Sequence, residues 1–170
     1  MTQEIPVSEL DTARFIADQV AAIRAAVGDT GTAINALSGG VDSSVVTLLG
    51  HRALGDKLRC IFIDTGLLRE GEADSVMDYY GGKLQLPITY VNAQDRFVGA
   101  LKGLHASADK KSAIYHTMRE ILNETSDRIA YQVAIHSTSC SDVLRADCSD
   151  IHPNIQAVDS TVDPLRELFK

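Results

Sequence analysis

The chain has 170 residues, 45% of them hydrophobic, and 16 basic against 23 acidic side chains give a formal net charge of −7. That length suits one domain with a substantial core, and the acidic balance gives no support to a general binder of nucleic acid or anionic membranes. No apolar stretch approaches the ~18 residues of a membrane span, and Met1–Pro6 lacks the basic-then-apolar order of a secretory signal, so a cytoplasmic protein is expected.

Leu10, Phe15, Ile16, Val20, Ile23 and Val27 recur at helical intervals and predict a helix over 9–27, capped by Ser8 or Asp11 and stopped at Gly28-Asp29. Thr32–Leu37 reads as a short, mostly buried strand. After a turn of small residues, Val45, Val46, Leu48, Leu49, Ala53 and Leu54 share one broad face of a helix over 42–54. A second strand, 58–63, closes at Asp64-Thr65-Gly66, and a helix over 71–80 stops at Gly81-Gly82. Strand 88–91 leads through Ala93 into a helix ending at Leu101. A polar loop, 103–109, precedes a helix whose face carries Ile114, Met118, Ile121 and Leu122, and 131–135 suits a fourth strand. No clear period runs through 136–162. Asp163-Pro164 reads as N-cap and first residue of a last helix, 164–170, which is marginal alone at two turns and predicts a chain that stops short of its domain. Strands alternating with helices predict an α/β fold: a doubly wound parallel sheet of about four to five strands with helices on both faces. The whole of 1–170 is read as one domain.

The turn Ser38-Gly39-Gly40-Val41-Asp42-Ser43 lies where a strand hands over to a helix. Free N–H groups of the first helical turn and the positive dipole end converge there, and the glycines let the backbone approach an anion closely. Ser38, Ser43 and Ser44 add hydroxyls. A carboxylate beside a phosphate is repelled unless a divalent cation lies between them, so Asp42 points to a magnesium–nucleotide site. The competing expectation is a plain turn with Asp42 or Ser43 as N-cap. The G-K-[ST] ending of a Walker loop is missing. In a parallel sheet, ligands collect beyond the carboxyl ends of the strands, and Asp64-Thr65-Gly66 falls there too. Backbone around Ile63 and Asp64, flanked by Leu67, could hold an adenine ring; an ordinary Asx turn is the alternative. Lys110 and Lys111 at a helix start oppose the favourable dipole sign, as a pair awaiting distal phosphates or as a solvated pair. Cys60 fits a buried small hydrophobe. Cys140 and Cys148, near His136 and His152, match no zinc or C-x-x-C spacing.

The segments Ala36–Val46 and Phe62–Arg69, extended by Asp95-Arg96-Phe97, Lys110-Lys111 and Pro164–Lys170, resemble the ATP-pyrophosphatase (PP-loop) domain of GMP synthetase. The resemblance implies an adenine nucleotide alpha-hydrolase-like fold. It also implies a ligase that adenylates XMP with Mg-ATP, releases pyrophosphate and lets ammonia displace AMP to give GMP. By the same resemblance, Ser38, Gly39, Gly40, Val41, Asp42, Ser43 and Ser44 would hold the pyrophosphate, and Asp42 would also contact magnesium. Ile63 and Asp64 would lie at the adenosine, and Asp42, Lys110 and Lys111 would act catalytically. Partners implied are ATP, XMP, a glutaminase subunit or domain, and a second copy of the chain, with no nucleic acid and no membrane. Two segments depart from the family pattern. Ile135–Asp142 replaces a Gly-Thr-hydrophobic-Tyr-Pro-Asp segment, and no lysine occurs between Lys111 and Lys170 where the family carries one in a Lys-Ser-His-His-Asn segment. The family's dimerisation domain and any glutaminase domain are expected to be absent from this chain. Two other readings stay open: another PP-loop adenylating enzyme of sulfur transfer or tRNA modification, and a nucleotide-binding protein that has lost catalysis.

Overall fold

A computed structural model describes residues 11–135. Within them the chain runs α1 (Thr12–Val27), β1 (Ala33–Leu37), α2 (Val41–Leu54), β2 (Leu58–Asp64), α3 (Glu72–Val76), β3 (Ile88–Asn92), α4 (Gln94–Leu101), α5 (Ser107–Ser126) and β4 (Val133–Ile135). The expected Ser8 cap, the stretch 136–162, Cys140, Cys148 and the helix at 164–170 lie outside the described residues.

The four strands form one parallel sheet in the order β3-β2-β1-β4. The order reverses at β1: the chain first builds outward through β2 and β3, then returns to place β4 on the other side of β1. Strand alternation sorts the side chains onto two faces. Ala33, Leu37, Leu58, Cys60, Phe62, Val133 and Ile135 pack against Val20, Ile23 and Val27 of α1, Val45, Val46 and Leu49 of α2, and Val76 of α3. Ile34, Ile61, Ile63 and Ala134 face the other way, towards Phe97 of α4 and Ile121 of α5. Helices therefore cover both faces, as a doubly wound sheet requires.

Local chemistry explains most boundaries. Asp11 caps α1 by accepting from the Arg14 N–H at 3.0 Å. Arg24 of α1 reaches across to the carbonyls of Ala53 (2.9 Å) and Arg52 (3.2 Å), binding the last turn of α2 to α1. Gly50 is tolerated inside α2 because a Cβ there would stand 2.5 Å from Ile135 Cδ1; its absence lets the helix settle onto the sheet. Cys60 is fully buried, and desolvation pushes its thiol up to about 12, so it is a packing residue without thiolate chemistry.

Three boundaries differ from the expectations. Gly81-Gly82 does not stop the third helix: α3 continues as a π-helical segment, Met77–Lys83, closed by bonds such as Leu84 N–H to Tyr79 carbonyl at 3.0 Å. The widened turn lets Tyr80 stay buried in the core while the chain passes through both glycines. The expected loop 103–109 is shorter, since α5 begins at Ser107. Lys110 and Lys111 therefore fall past the helix start, behind an acidic first turn at Asp109. The fourth strand is Val133–Ile135 rather than 131–135.

Candidate functional site

β1 and β2 pair in register, Leu37 opposite Phe62, so the loops after both strands open at the same edge of the sheet. That edge, beside β1 and β4 where strand order reverses, is the crevice in which open α/β sheets bind ligands.

The first loop is built around the start of α2. Gly40 is the N-cap and supplies no side-chain cap, and neither Asp42 nor Ser43 takes that role. The N–H groups of Val41, Asp42 and Ser43 thus head the helix without a capping side chain, with the positive dipole end behind them. Gly39 takes φ +79°, and a Cβ there would meet Val76 Cγ2 at 2.6 Å. Only glycine fits: the turn needs a left-handed residue, and α3 packs directly on its back. The hydroxyls expected to face a ligand are turned inward. Ser38 Oγ and Ser43 Oγ lie 2.9 Å apart. Ser43 Oγ also accepts from the Ser38 N–H at 3.2 Å and donates to the Gly40 carbonyl at 3.1 Å. Ser44 donates to that carbonyl at 2.6 Å. These serines set the shape of the loop. Asp42, half-buried in the first turn of α2, makes no hydrogen bond or ion pair with any described residue. Val41 beside it is 44% exposed.

The second loop is closed. Asp64, 6% exposed, accepts from Gly66 N–H (2.9 Å), Tyr90 Oη–H (2.8 Å) and Gln94 Nε2–H (2.8 Å). The Gly66 N–H bond chiefly, with the Tyr90 and Gln94 bonds, holds the carboxyl below its ordinary range, and the bond to Asp64 raises the Tyr90 phenol. The Asp64 carbonyl accepts the Ala93 N–H at 2.9 Å. Ile63 is buried against Ala93 and Phe97. Asp64 is therefore an Asx-turn clamp that joins the β2 end to β3 and α4. Tyr90 and Gln94, its partners, carried no sequence signal of this role.

Lys110 and Lys111 are exposed on α5 and make no hydrogen bond or ion pair with the first loop among the described residues. Further along α5, Arg96 of α4 bridges Glu124 at 2.7 Å and Glu120 at 3.2 Å. A further pair, Asn35 and Thr47, was legible only as a lone polar residue in an apolar strand and a polar residue on the apolar face of a helix. Both are buried (2% and 0% exposed), and they bond to each other directly behind the first loop. No group of three or more His, Cys, Asp or Glu among the described residues could hold a metal on its own. Asp42 alone suits magnesium, which typically takes one or two carboxylates together with substrate phosphates. No helix among the described residues is long and apolar enough to cross a membrane.

Comparison with known proteins places the chain. No family model matches it. It is 42% identical over 174 residues to the glutamine-hydrolysing GMP synthase of Aliivibrio fischeri, covering 94% of this chain and 33% of that protein. One subunit of the glutamine-hydrolysing GMP synthase of Pyrococcus horikoshii is 36% identical over 167 residues, covering 95% of this chain and 54% of that one. The chain thus spans a third to about half the length of these curated relatives. Among solved structures, the NH3-dependent NAD synthetase of Campylobacter jejuni superposes with a TM-score of 0.65 at 18% identity, covering 79% of this chain and 60% of that one. The glutamine-dependent NAD+ synthetase of Acinetobacter baumannii, solved with ADP, gives 0.65 at 15% identity, covering 86% and 29%. These two likenesses bear on the fold, and both are α/β proteins of the same type. Across almost its whole length the chain is homologous to part of each of these GMP synthases, in keeping with the resemblance of its sequence to the ATP-pyrophosphatase domain of GMP synthetase.

Proposed function

We propose that the chain binds Mg-ATP in the crevice beyond β1 and β4 and serves as the ATP-pyrophosphatase unit of a GMP-synthase-type ligase. The observation that carries this reading is the uncapped start of α2 at the reversal of strand order, with an unpartnered carboxylate, Asp42, in its first turn. The N–H groups of Gly39 and of Val41–Ser43 would hold the β,γ-phosphates, while the Gly40 N–H, engaged by Ser38 Oγ at 3.3 Å, and the inward serines would keep the turn rigid. Asp42 would hold magnesium, which would supply positive charge against the phosphates. Ile63 and Asp64 would border adenosine through their backbone, the Asp64 carboxylate being engaged within the loop. Lys110 and Lys111 would meet the distal phosphates.

In the reaction, the 2-oxygen of XMP attacks the α-phosphorus, the bond to the β-phosphate oxygen breaks, and pyrophosphate leaves. Ammonia then displaces AMP to give GMP. The chain's own contribution is to position phosphates and offset their charge, with no covalent work. Residues 1–170 would act as one domain, alongside a glutaminase domain or subunit when glutamine is the nitrogen source, and as part of a homo-oligomer.

The test is release of AMP and pyrophosphate from Mg-ATP in the presence of XMP and ammonia, beside Asp42→Ala. XMP-dependent release that disappears in the variant, with an unchanged circular dichroism spectrum, is expected. The Ile135–Asp142 segment and the lysine-free stretch up to Lys170 favour a second reading, nucleotide binding without amination. Calorimetric Mg-ATP binding with no turnover on XMP would select it.

A further inference from the structure

The residues on either side of Gly39 are tied into the first loop by their own bonds. Ser38 Oγ meets Ser43 Oγ at 2.9 Å and accepts the Gly40 N–H at 3.3 Å. The Gly40 carbonyl accepts from Ser43 Oγ at 3.1 Å and from Ser44 Oγ at 2.6 Å. Gly39 shares in none of these bonds and makes no hydrogen bond with any described residue. Its N–H is therefore open to an anion, and its peptide depends on packing for its position. Among the described residues one side chain supplies that packing. A Cβ at position 39 would find Val76 Cγ2 at 2.6 Å and Val76 Cβ at 4.0 Å, with no other described residue beyond its chain neighbours within 4 Å.

Val76 is itself firmly held. It ends α3, is 7% exposed, and lies in the core with Val45, Val46 and Tyr80. Ahead of it, Glu72 Oε2 accepts the Arg69 N–H at 2.9 Å, and Ser75 Oγ donates to the Gly71 carbonyl at 2.8 Å. Behind it, in the π-helical segment, the carbonyl of buried Tyr80 accepts the Leu86 N–H at 2.9 Å. The helix is thus pinned on both sides of the residue that supports the loop, and an interior packed this closely passes on a displacement rather than absorbing it. Valine also has the shape for the task. Its branch at Cβ sets a γ-methyl close to the backbone in one stiff rotamer, beneath a residue with no Cβ of its own.

We infer that Val76 is a positioning residue for the phosphate loop: its Cγ2 methyl sets how far the Gly39 peptide sinks between Ser38 and Gly40, and so where the Gly39 N–H meets a phosphate oxygen. This rests on the nucleotide reading above. A residue that only fills the core lowers the melting temperature when truncated and leaves the affinity of the folded protein alone. A residue that supports the loop changes the affinity for the pyrophosphate moiety, and does so through Gly39.

The experiment compares the unmodified chain with Val76→Ala, Val76→Leu, Val76→Thr, Gly39→Ala and the double variant Gly39→Ala/Val76→Ala. Calorimetry measures binding of Mg-ATP and of magnesium pyrophosphate at a temperature well below every melting transition. Val76→Ala, which removes both γ-methyls, should weaken both ligands about three- to tenfold, within the range of coupling between residues in contact. Val76→Thr keeps the branch at Cβ and should bind within about twofold of the unmodified chain. The double variant should bind Mg-ATP at least about threefold more tightly than the product of the two single losses, because the shortened side chain leaves room for the alanine Cβ. If Val76→Ala does not fold, Val76→Leu, which keeps apolar bulk but loses the branch at Cβ, should show the weakening against Val76→Thr. Four results overturn the inference alone: unchanged affinities in the folded variants, an equal loss in Val76→Thr, single losses that simply multiply, or weaker Mg-ATP with pyrophosphate unaffected. An unmodified chain that binds neither ligand overturns the nucleotide reading, and the inference with it.

Discussion

The loops after β1 and β2 begin alike, each at the carboxyl end of a central parallel strand, with a glycine at positive φ and an aspartate close by. They end in opposite states. Asp64 in the second loop has three donors and a set position, so the turn is complete without a ligand. Asp42 in the first loop has none, and the helix behind it starts uncapped, while the serines around it satisfy each other. What separates the two is the supply of partners. A carboxylate in such a loop stays available to a ligand when its own structure leaves it unpaired, and becomes a structural clamp when the neighbouring strand and helix already satisfy it.

The contrast is breakable at several points. Asp42→Ala has the largest expected effect: a loss of pyrophosphate release of at least about a hundredfold, as for removal of an electrostatic stabiliser, with the melting temperature nearly unchanged. A large drop in melting temperature would make Asp42 a structural residue like Asp64. Gly39→Ala comes next, because its Cβ would enter Val76 and the residue must stay left-handed. Mg-ATP affinity should fall about five- to thirtyfold, the equivalent of the ~1–2 kcal/mol of left-handed strain, read by calorimetry.

Thr47→Val leaves Asn35 Oδ1 buried without its donor and should cost about 1–3 kcal/mol of unfolding free energy in denaturant titration. Asp64→Asn should act on stability rather than chemistry, with a visible pH signature. Because folding lowers the Asp64 carboxyl, its contribution is complete above the unfolded pKa of about 3.9 and is lost as pH falls through the lower folded value. Thermal melts of the wild type minus the variant should therefore converge below about pH 4; a difference constant with pH would mean that the charge of Asp64 is irrelevant. The smallest effect belongs to Arg96→Ala, whose ion pairs with Glu120 and Glu124 are exposed on the surface. Its melt should overlay that of the wild type at moderate salt.

Much of this was written in the chain itself. Short, mostly apolar runs placed β1, β2 and β3, and helical spacing placed α2, within a residue or two, because strands covered on both faces are apolar nearly throughout and a helix on the sheet buries one face. Small residues between an apolar strand and an amphipathic helix announced a tight turn into a helix start, since the free N–H groups offered there depend only on local backbone. The tertiary structure decided what depends on distant partners. It turned Ser38 and Ser43 inward and made Asp64 a clamp by bringing up Tyr90 and Gln94, 26 and 30 residues away. It placed Asn35 against Ile135, 100 residues on, and carried α3 through two glycines as a π-helix. Local sequence can specify which groups are offered at the end of a strand; only the packed sheet determines which of them are already taken, because a hydrogen bond depends on separation in space and not along the chain.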